Sequence, residues 1–319
     1  MKAKKEYLLL VLVIIALSFY LFFRNSDKTH YELPDIPDVA GQEITKIEIL
    51  RQAGAIVLNK KDNKWLISPE DYTADASKIE SMVDVVEDFE LETLVSEKKS
   101  DHLFDLTDDK KMSVKVWAGE KLMLSFEMGR PAPSWNHTFV RMADDVRVYH
   151  AKGNFKAKFD LTVDKLRDKT VLVFNQSEIE GLEIIKGKES LMLAKNMGTP
   201  EPPELENDLK TKTVWEDPSG RQAEATVMDT MLSTLSNLKC GNYTDDQEKK
   251  NFTNALFTVK LKGVQEYVLT IFEKPDSENK TYPAISSEND YPFLLSDSQA
   301  KKIMKSPDEI IEKTVIGDQ

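Results

Sequence analysis

The stretch Ile44-Thr45-Lys46-Ile47-Glu48-Ile49 alternates apolar and polar residues, and Ile179-Glu180-Gly181-Leu182-Glu183-Ile184 does the same 135 residues later. A period of two places the apolar residues of each segment on one side of an extended chain, the pattern of a half-buried strand. The segments that follow repeat in the same order, and this repetition decides the fold.

In the first copy Ala55-Ile56-Val57-Leu58 reads as a second strand, Asp62-Asn63 as a turn and Trp65-Leu66-Ile67 as a third strand. Asp75 opens a helical pattern. Ile79, Met82, Val83, Val86 and Phe89 share one stripe, with Glu80, Asp84, Glu87 and Asp88 opposite. Strands are predicted over Met112–Trp117, Lys121–Met128, Thr138–Met142 and Val146–His150, with a short helix around Leu161–Leu166. In the second copy Val214-Trp215 matches Trp65 and its neighbour. Met228, Met231, Leu232, Leu235 and Leu238 each stand 149 residues after their counterparts in the first helix. Tyr267, Leu269 and Ile271 stand 145 residues after Leu122, Leu124 and Phe126, and a final helix is predicted near Ala300–Met304. The expected class is α+β: two tandem repeats, 43–174 and 175–319, each a mainly antiparallel sheet with packed helices. The second repeat carries an insertion, Asn196–Lys212, whose prolines Pro200, Pro202 and Pro203 suit a surface loop.

Tyr7 to Phe23 holds 17 residues without a charge, preceded by Lys2, Lys4 and Lys5 and followed by Arg24. This reads as a short membrane span over residues 7–23. The flanking cations put the N-terminus in the cytoplasm. The resulting expectation is a single-pass protein of the bacterial inner (cytoplasmic) membrane. Residues 1–24 form the cytoplasmic tip and transmembrane anchor, residues 25–42 a spacer with Pro34, Pro37 and Gly41, and the body is periplasmic.

The formal net charge is -12. Nucleic acid is excluded as a partner, because phosphates need clustered cations. Cys240 is the one cysteine, so neither a disulfide within the chain nor a cysteine-built zinc site can form. The four histidines, His30, His102, His137 and His150, do not fall at metal-ligand spacing, and no phosphate loop, dinucleotide fingerprint or nucleophile elbow is present. No catalytic residue, metal ligand or cofactor is assigned.

Two segments remain as candidates. Gly129–Thr138 links two strands and carries Arg130, Trp135, Asn136 and His137, residue types that suit a protein-binding surface. Arg167-Asp168-Lys169 reads as a partner contact, as a charge network bracing two packed units, or as a helix-end cap, since cations favour a helix C-terminus.

Trp65-Leu66-Ile67, the helix opened by Ala74-Asp75, Thr138-Phe139-Val140-Arg141, Val148-Tyr149 and Leu166-Arg167-Asp168-Lys169 follow one another in a recognisable order. Over Glu43 to about Phe174 the chain resembles the bacterial envelope family catalogued as domain of unknown function four-three-four-zero. The resemblance implies an envelope protein, often encoded beside gliding-type ABC transporter components. It implies a non-catalytic accessory or interaction subunit of a membrane assembly, with ABC transporter subunits as partners. It carries no catalytic residue. The alternatives are a binding module for a small envelope ligand, a glycan or lipid fragment, and a cell-wall hydrolase using two carboxylates.

Overall fold

Alternation dominates the chain, and antiparallel strands follow from it. The computed structural model describes residues 3–24, 31–39, 41, 43–197, 213–244, 247–276 and 278–312. The chain divides into two compact units, Met1–Val163 and Asp164–Gln319.

The first unit begins with helix α1 (Ala3–Arg24). It continues with β1 (Lys46–Arg51), β2 (Gly54–Lys61), β3 (Lys64–Ser68), β4 (Tyr72–Thr73), α2 (Ala76–Glu87), β5 (Leu91–Ser96) and α3 (Asp101–Phe104). Then follow β6 (Met112–Ala118), β7 (Lys121–Pro131), β8 (His137–Met142), β9 (Val148–Lys152) and α4 (Lys156–Phe159). The strands form one sheet in the order β4-β3-β2-β1-β6-β7-β8-β9-β5, with antiparallel neighbours throughout. Central β1 sets the register. Ile47 lies between Leu58 and Val116, and Ile49 between Ile56 and Val114, all of them buried. At the β2–β3 turn Asp62 and Asn63 both take left-handed backbone, with φ of 48° and 65°. Short polar side chains tolerate this conformation, and two such residues match the twist of a tight hairpin.

Helix α2 starts where it does because the Asp75 carboxylate accepts from the backbone N–H groups of Ser77 and Lys78. It buries Ile79, Met82 and Val86 against the sheet, each contributing roughly 1.5–3 kcal/mol.

A smaller cluster sits apart from this core. Leu106, Ala132, Phe139 and Val148 are buried together, with Phe104 and Val95 packed on them. The segment from α3 to Leu106 therefore covers the β7–β8–β9 end of the sheet. The buried Arg141 guanidinium pins it there, donating to Asp101 at 2.7 Å and to Glu127 at 2.8 Å, while Lys111 reaches Glu127 at 2.8 Å. Burial works against the Glu127 charge, but the hydrogen bonds from Lys111 and Arg141 outweigh it and hold the carboxyl below its usual range.

The second unit contains α5 (Val163–Leu166), β10 (Thr170–Val173), β11 (Gly181–Lys186), β12 (Glu189–Met197), β13 (Thr213–Glu216), α6 (Ala225–Leu235), β14 (Asn237–Lys239) and β15 (Asn242–Tyr243). It ends with β16 (Ala255–Lys262), β17 (Glu266–Phe272), β18 (Thr281–Ser286), β19 (Asn289–Ser296), α7 (Asp297–Ile303) and α8 (Pro307–Ile310). Its main sheet runs β13-β12-β11-β16-β17-β18-β19-β15. This is the order of β3-β2-β1-β6-β7-β8-β9-β5, element for element. Strands β10 and β14 pair separately. Helix α6 buries Met228, Met231, Leu232 and Leu235.

Two expectations are corrected. The class is not α+β but predominantly antiparallel β, with helices as a minor layer. Among the described residues that follow α1, only α2, with 12 residues, and α6, with 11, extend a helical stripe over several turns. The helix expected around Leu161–Leu166 is a single turn, α5. Among the described residues no helix is long and apolar enough to cross a membrane. The uncharged part of α1 explains this. Only 17 of the helix's 22 residues form the uncharged run, at the lower limit of the roughly 17–25 that a span takes. The transmembrane anchor is therefore not supported, nor is the inner-membrane, single-pass placement with a cytoplasmic N-terminus and a periplasmic body that rested on it. Of the expected 196–212 loop, Asn196 and Met197 belong to β12, and 198–212 lie outside the described residues. Of the 25–42 spacer, residues 25–30, 40 and 42 lie outside them as well.

The approach of α3 to the sheet makes a test. A Cβ added at Gly129 would stand 1.9 Å from the Phe104 carbonyl oxygen, a backbone atom that cannot swing aside. Gly129→Ala should destabilise the first unit by about 1–3 kcal/mol through overpacking, read as a lower urea midpoint with unchanged secondary structure by circular dichroism.

Candidate functional site

The β7–β8 connection is short and internally bonded. Ala132 N–H donates to the His137 carbonyl at 2.8 Å, and Trp135 N–H to the Ala132 carbonyl at 2.9 Å. Gly153 N–H donates to the Asn136 carbonyl at 2.7 Å, tying the tip to the end of β9. The turn drives Trp135 into left-handed backbone, φ 61°, and leaves its side chain 70% exposed. Both features are unfavourable for a bulky aromatic residue in isolation.

His137 stands at the base of the tip. Its Nε2 lies 2.6 Å from a Glu92 carboxylate oxygen, and its Nδ1 lies 3.1 Å from Ser134 Oγ. A carboxylate only accepts, so Glu92 holds the proton on Nε2 and leaves Nδ1 to accept from the Ser134 hydroxyl. The His137 ring stacks on His150 at 5.0 Å, and His150 packs on Phe139 at 4.9 Å. The Arg130 guanidinium lies 5.1 Å from the centre of the Phe139 ring, and its Nε donates to the Leu103 carbonyl at 3.1 Å. Imidazoles, phenyl ring and guanidinium thus form one row on the face of the sheet below the β7–β8 turn. Burial pushes the His150 pKa down, and the neighbouring His137 adds to this.

Of the four residues expected from this loop, Trp135 and Asn136 lie in the β7–β8 turn and His137 opens β8, while Arg130 lies on β7 and turns to the Leu103 carbonyl and the Phe139 ring. Glu92, Ser134 and His150 join His137 and were not anticipated. His150 had a visible signal: strands pairing around Asp144-Asp145 put His137 and His150 on the same face of a hairpin. Glu92 had none, because the pairing of β5 with β9 is not written in local pattern.

Arg167, Asp168 and Lys169 belong to the second unit and bind inward. Arg167 is 3% exposed, with its guanidinium 3.8 Å from the Tyr243 ring centre and 4.5 Å from that of Tyr291. The Asp168 carboxylate accepts from Thr170 N–H at 2.9 Å, and its carbonyl accepts from the Tyr243 hydroxyl at 2.7 Å. Lys169 pairs with Asp164, and its carbonyl accepts from Cys240 N–H at 2.8 Å. These contacts fasten the start of the unit to the β14–β15 segment. Nearby Cys240 is buried, which pushes its thiol up to about 11. Among the described residues no three His, Cys, Asp or Glu side chains gather as metal ligands.

The sequence model of one family, described as Domain of unknown function (DUF4340), matches residues 65–255, a range that includes Leu166-Arg167-Asp168-Lys169. The chain belongs to this family. The match spans parts of both compact units. No curated protein and no solved structure matches the chain.

The histidine row makes a pH prediction. A histidine held below its ordinary value near 6.5 binds its proton better when unfolded. Its contribution is neutral above that value, and stability falls as pH drops below it. His150 Nε2 is shielded and has no hydrogen-bond partner among the described residues, so a phenyl ring can replace the imidazole. His150→Phe should flatten the loss of urea stability between about pH 7 and pH 5 while leaving the pH 8 value little changed.

Proposed function

We propose that this protein is a non-catalytic interaction subunit that docks onto a larger assembly through the β7–β8 tip. The exposed Trp135, in a backbone conformation that bulky residues avoid, carries this reading. A large aromatic held outward by a bonded turn, with Arg130 at its base, has the chemistry of a binding hot spot. Strain at an exposed residue persists where the surrounding structure enforces it, and such positions cluster at ligand clamps and active sites. The family resemblance names the partner to try first, the subunits of an ABC-type transport or gliding-related complex.

The test is co-purification of the full chain with those subunits in mild detergent. Retention should fall at least tenfold in a Trp135→Ala, Arg130→Ala double variant that keeps its circular dichroism spectrum. Equal retention by the variant would remove the tip from the interface, and recovery of the protein alone would remove the partner.

One observation favours a second reading. Ser134 Oγ and a Glu92 carboxylate oxygen sit on opposite ring nitrogens of His137, at 3.1 and 2.6 Å, the hydroxyl–imidazole–carboxylate arrangement that acyl transfer uses. Ser134 Oγ would attack an ester carbonyl and pass its proton to His137 Nδ1, and the imidazolium would return that proton to the departing alkoxide as the ester C–O bond breaks and the acyl group stays on Ser134. A fluorophosphonate probe should then label Ser134, and labelling should vanish in Ser134→Ala and His137→Asn. A wild-type chain that stays unlabelled ends this reading.

A further inference from the structure

The place that Arg141 fills in the first unit is open in the second. Phe126 pairs with Met142 across β7–β8, and Ile271, 145 residues after Phe126, pairs with Ala284 across β17–β18. One step along each strand, Glu127 faces Arg141 in the first unit, and Phe272 and Pro283 hold the same places in the second. Farther along, Phe139 pairs with His150, whereas Thr281 pairs with Ser296. An ion pair has been replaced by two apolar residues, and a phenylalanine by a threonine.

A cavity of about 500 Å³ lies beside these positions in the second unit, with Phe272, Thr281 and Pro283 in its lining. Phe252, Phe272 and Leu294 give it an apolar wall, with the two rings 5.1 Å apart. Gln247, Asn251, Asn254 and Asn279 line it with exposed amides. Thr244 and Thr281 add hydroxyls, and Thr244 Oγ1 has no hydrogen-bond partner among the described residues. Among the described residues that line it, Glu273 alone is charged. In a chain that is 31% charged, a lining this neutral selects against ionic ligands.

We infer that this cavity binds a neutral sugar. A pyranose presents an apolar C–H face, which suits the phenylalanine wall, and hydroxyls around its edge that both donate and accept. Side-chain amides answer both roles, each with two N–H donors and a carbonyl acceptor. A volume of this size is typical of small-ligand sites.

Saturation-transfer NMR on the full chain with glucose, N-acetylglucosamine and maltotriose, followed by titration of any responder, tests the inference. Saturable binding of at least one neutral sugar is expected. Thr281→Phe places the first unit's own solution, Phe139, into the cavity and should weaken binding at least tenfold. Asn251→Ala with Asn279→Ala changes only exposed amides, so it keeps the test open should the phenylalanine variant misfold, and the same weakening is expected. No saturable binding by any of the three sugars overturns the inference. So does binding that both variants leave intact, or a clear preference for glucuronate over glucose.

Discussion

The buried guanidinium of Arg141 organises the outer layer of the first unit. A cation taken out of water is stable only when anions and hydrogen bonds surround it. Glu127 on the neighbouring strand and Asp101 at the start of α3 meet that requirement, and Lys111 balances the second carboxylate oxygen of Glu127. The pair with Asp101 draws α3 onto the sheet. That approach presses the Phe104 carbonyl against Gly129, where no side chain fits. It also lays Phe104 on Phe139 at 4.8 Å and gives Arg130 a carbonyl to bind. One buried charge thus determines how the hairpin carrying Trp135 is supported.

The second unit shows what the same sheet does without that charge. The strand order is shared, and the helices α2 and α6 bury equivalent apolar positions. Duplicated sheets tolerate different outer layers because the main core lies on the other face and does not sense the exchange. Ile271 and Ala284 remain in that core, while Phe272 and Leu294 turn away from it. The two units therefore keep one architecture and diverge where divergence costs the core nothing.

What could be read from the residues alone follows from how local the determinants are. The alternation of β1, the Asp62-Asn63 hairpin and the Asp75 cap with its apolar stripe depend on neighbours within a few positions, and all are plain in the chain. That Arg130, Trp135, Asn136 and His137 flank one short strand connection was equally legible, since they are close in the chain. Three features were not. The balance between helix and strand depends on how far a stripe continues, and four-residue turns resemble helices when read by composition. The apolar run in α1 stands at the lower limit of the length that a span takes. Glu92 reaches His137 from 45 residues away, across a sheet order that pattern does not encode.

Arg167 shows why a recognisable word in a sequence need not mark a contact surface. Its polarity argues for exposure, yet its guanidinium lies against two tyrosine rings that come 76 and 124 residues later in the chain. Arginine suits this place better than lysine, because a flat, weakly hydrated cation can stack on aromatic faces while an ammonium keeps its water. The flanking Asp168 and Lys169 then use their backbone carbonyls to hold Tyr243 and Cys240 in register. A motif that closes a unit on itself in this way depends on the fold and not on a partner. Its recognisability therefore reports the architecture, and the surface chemistry of the protein is to be sought at Trp135 and in the neutral cavity of the second unit.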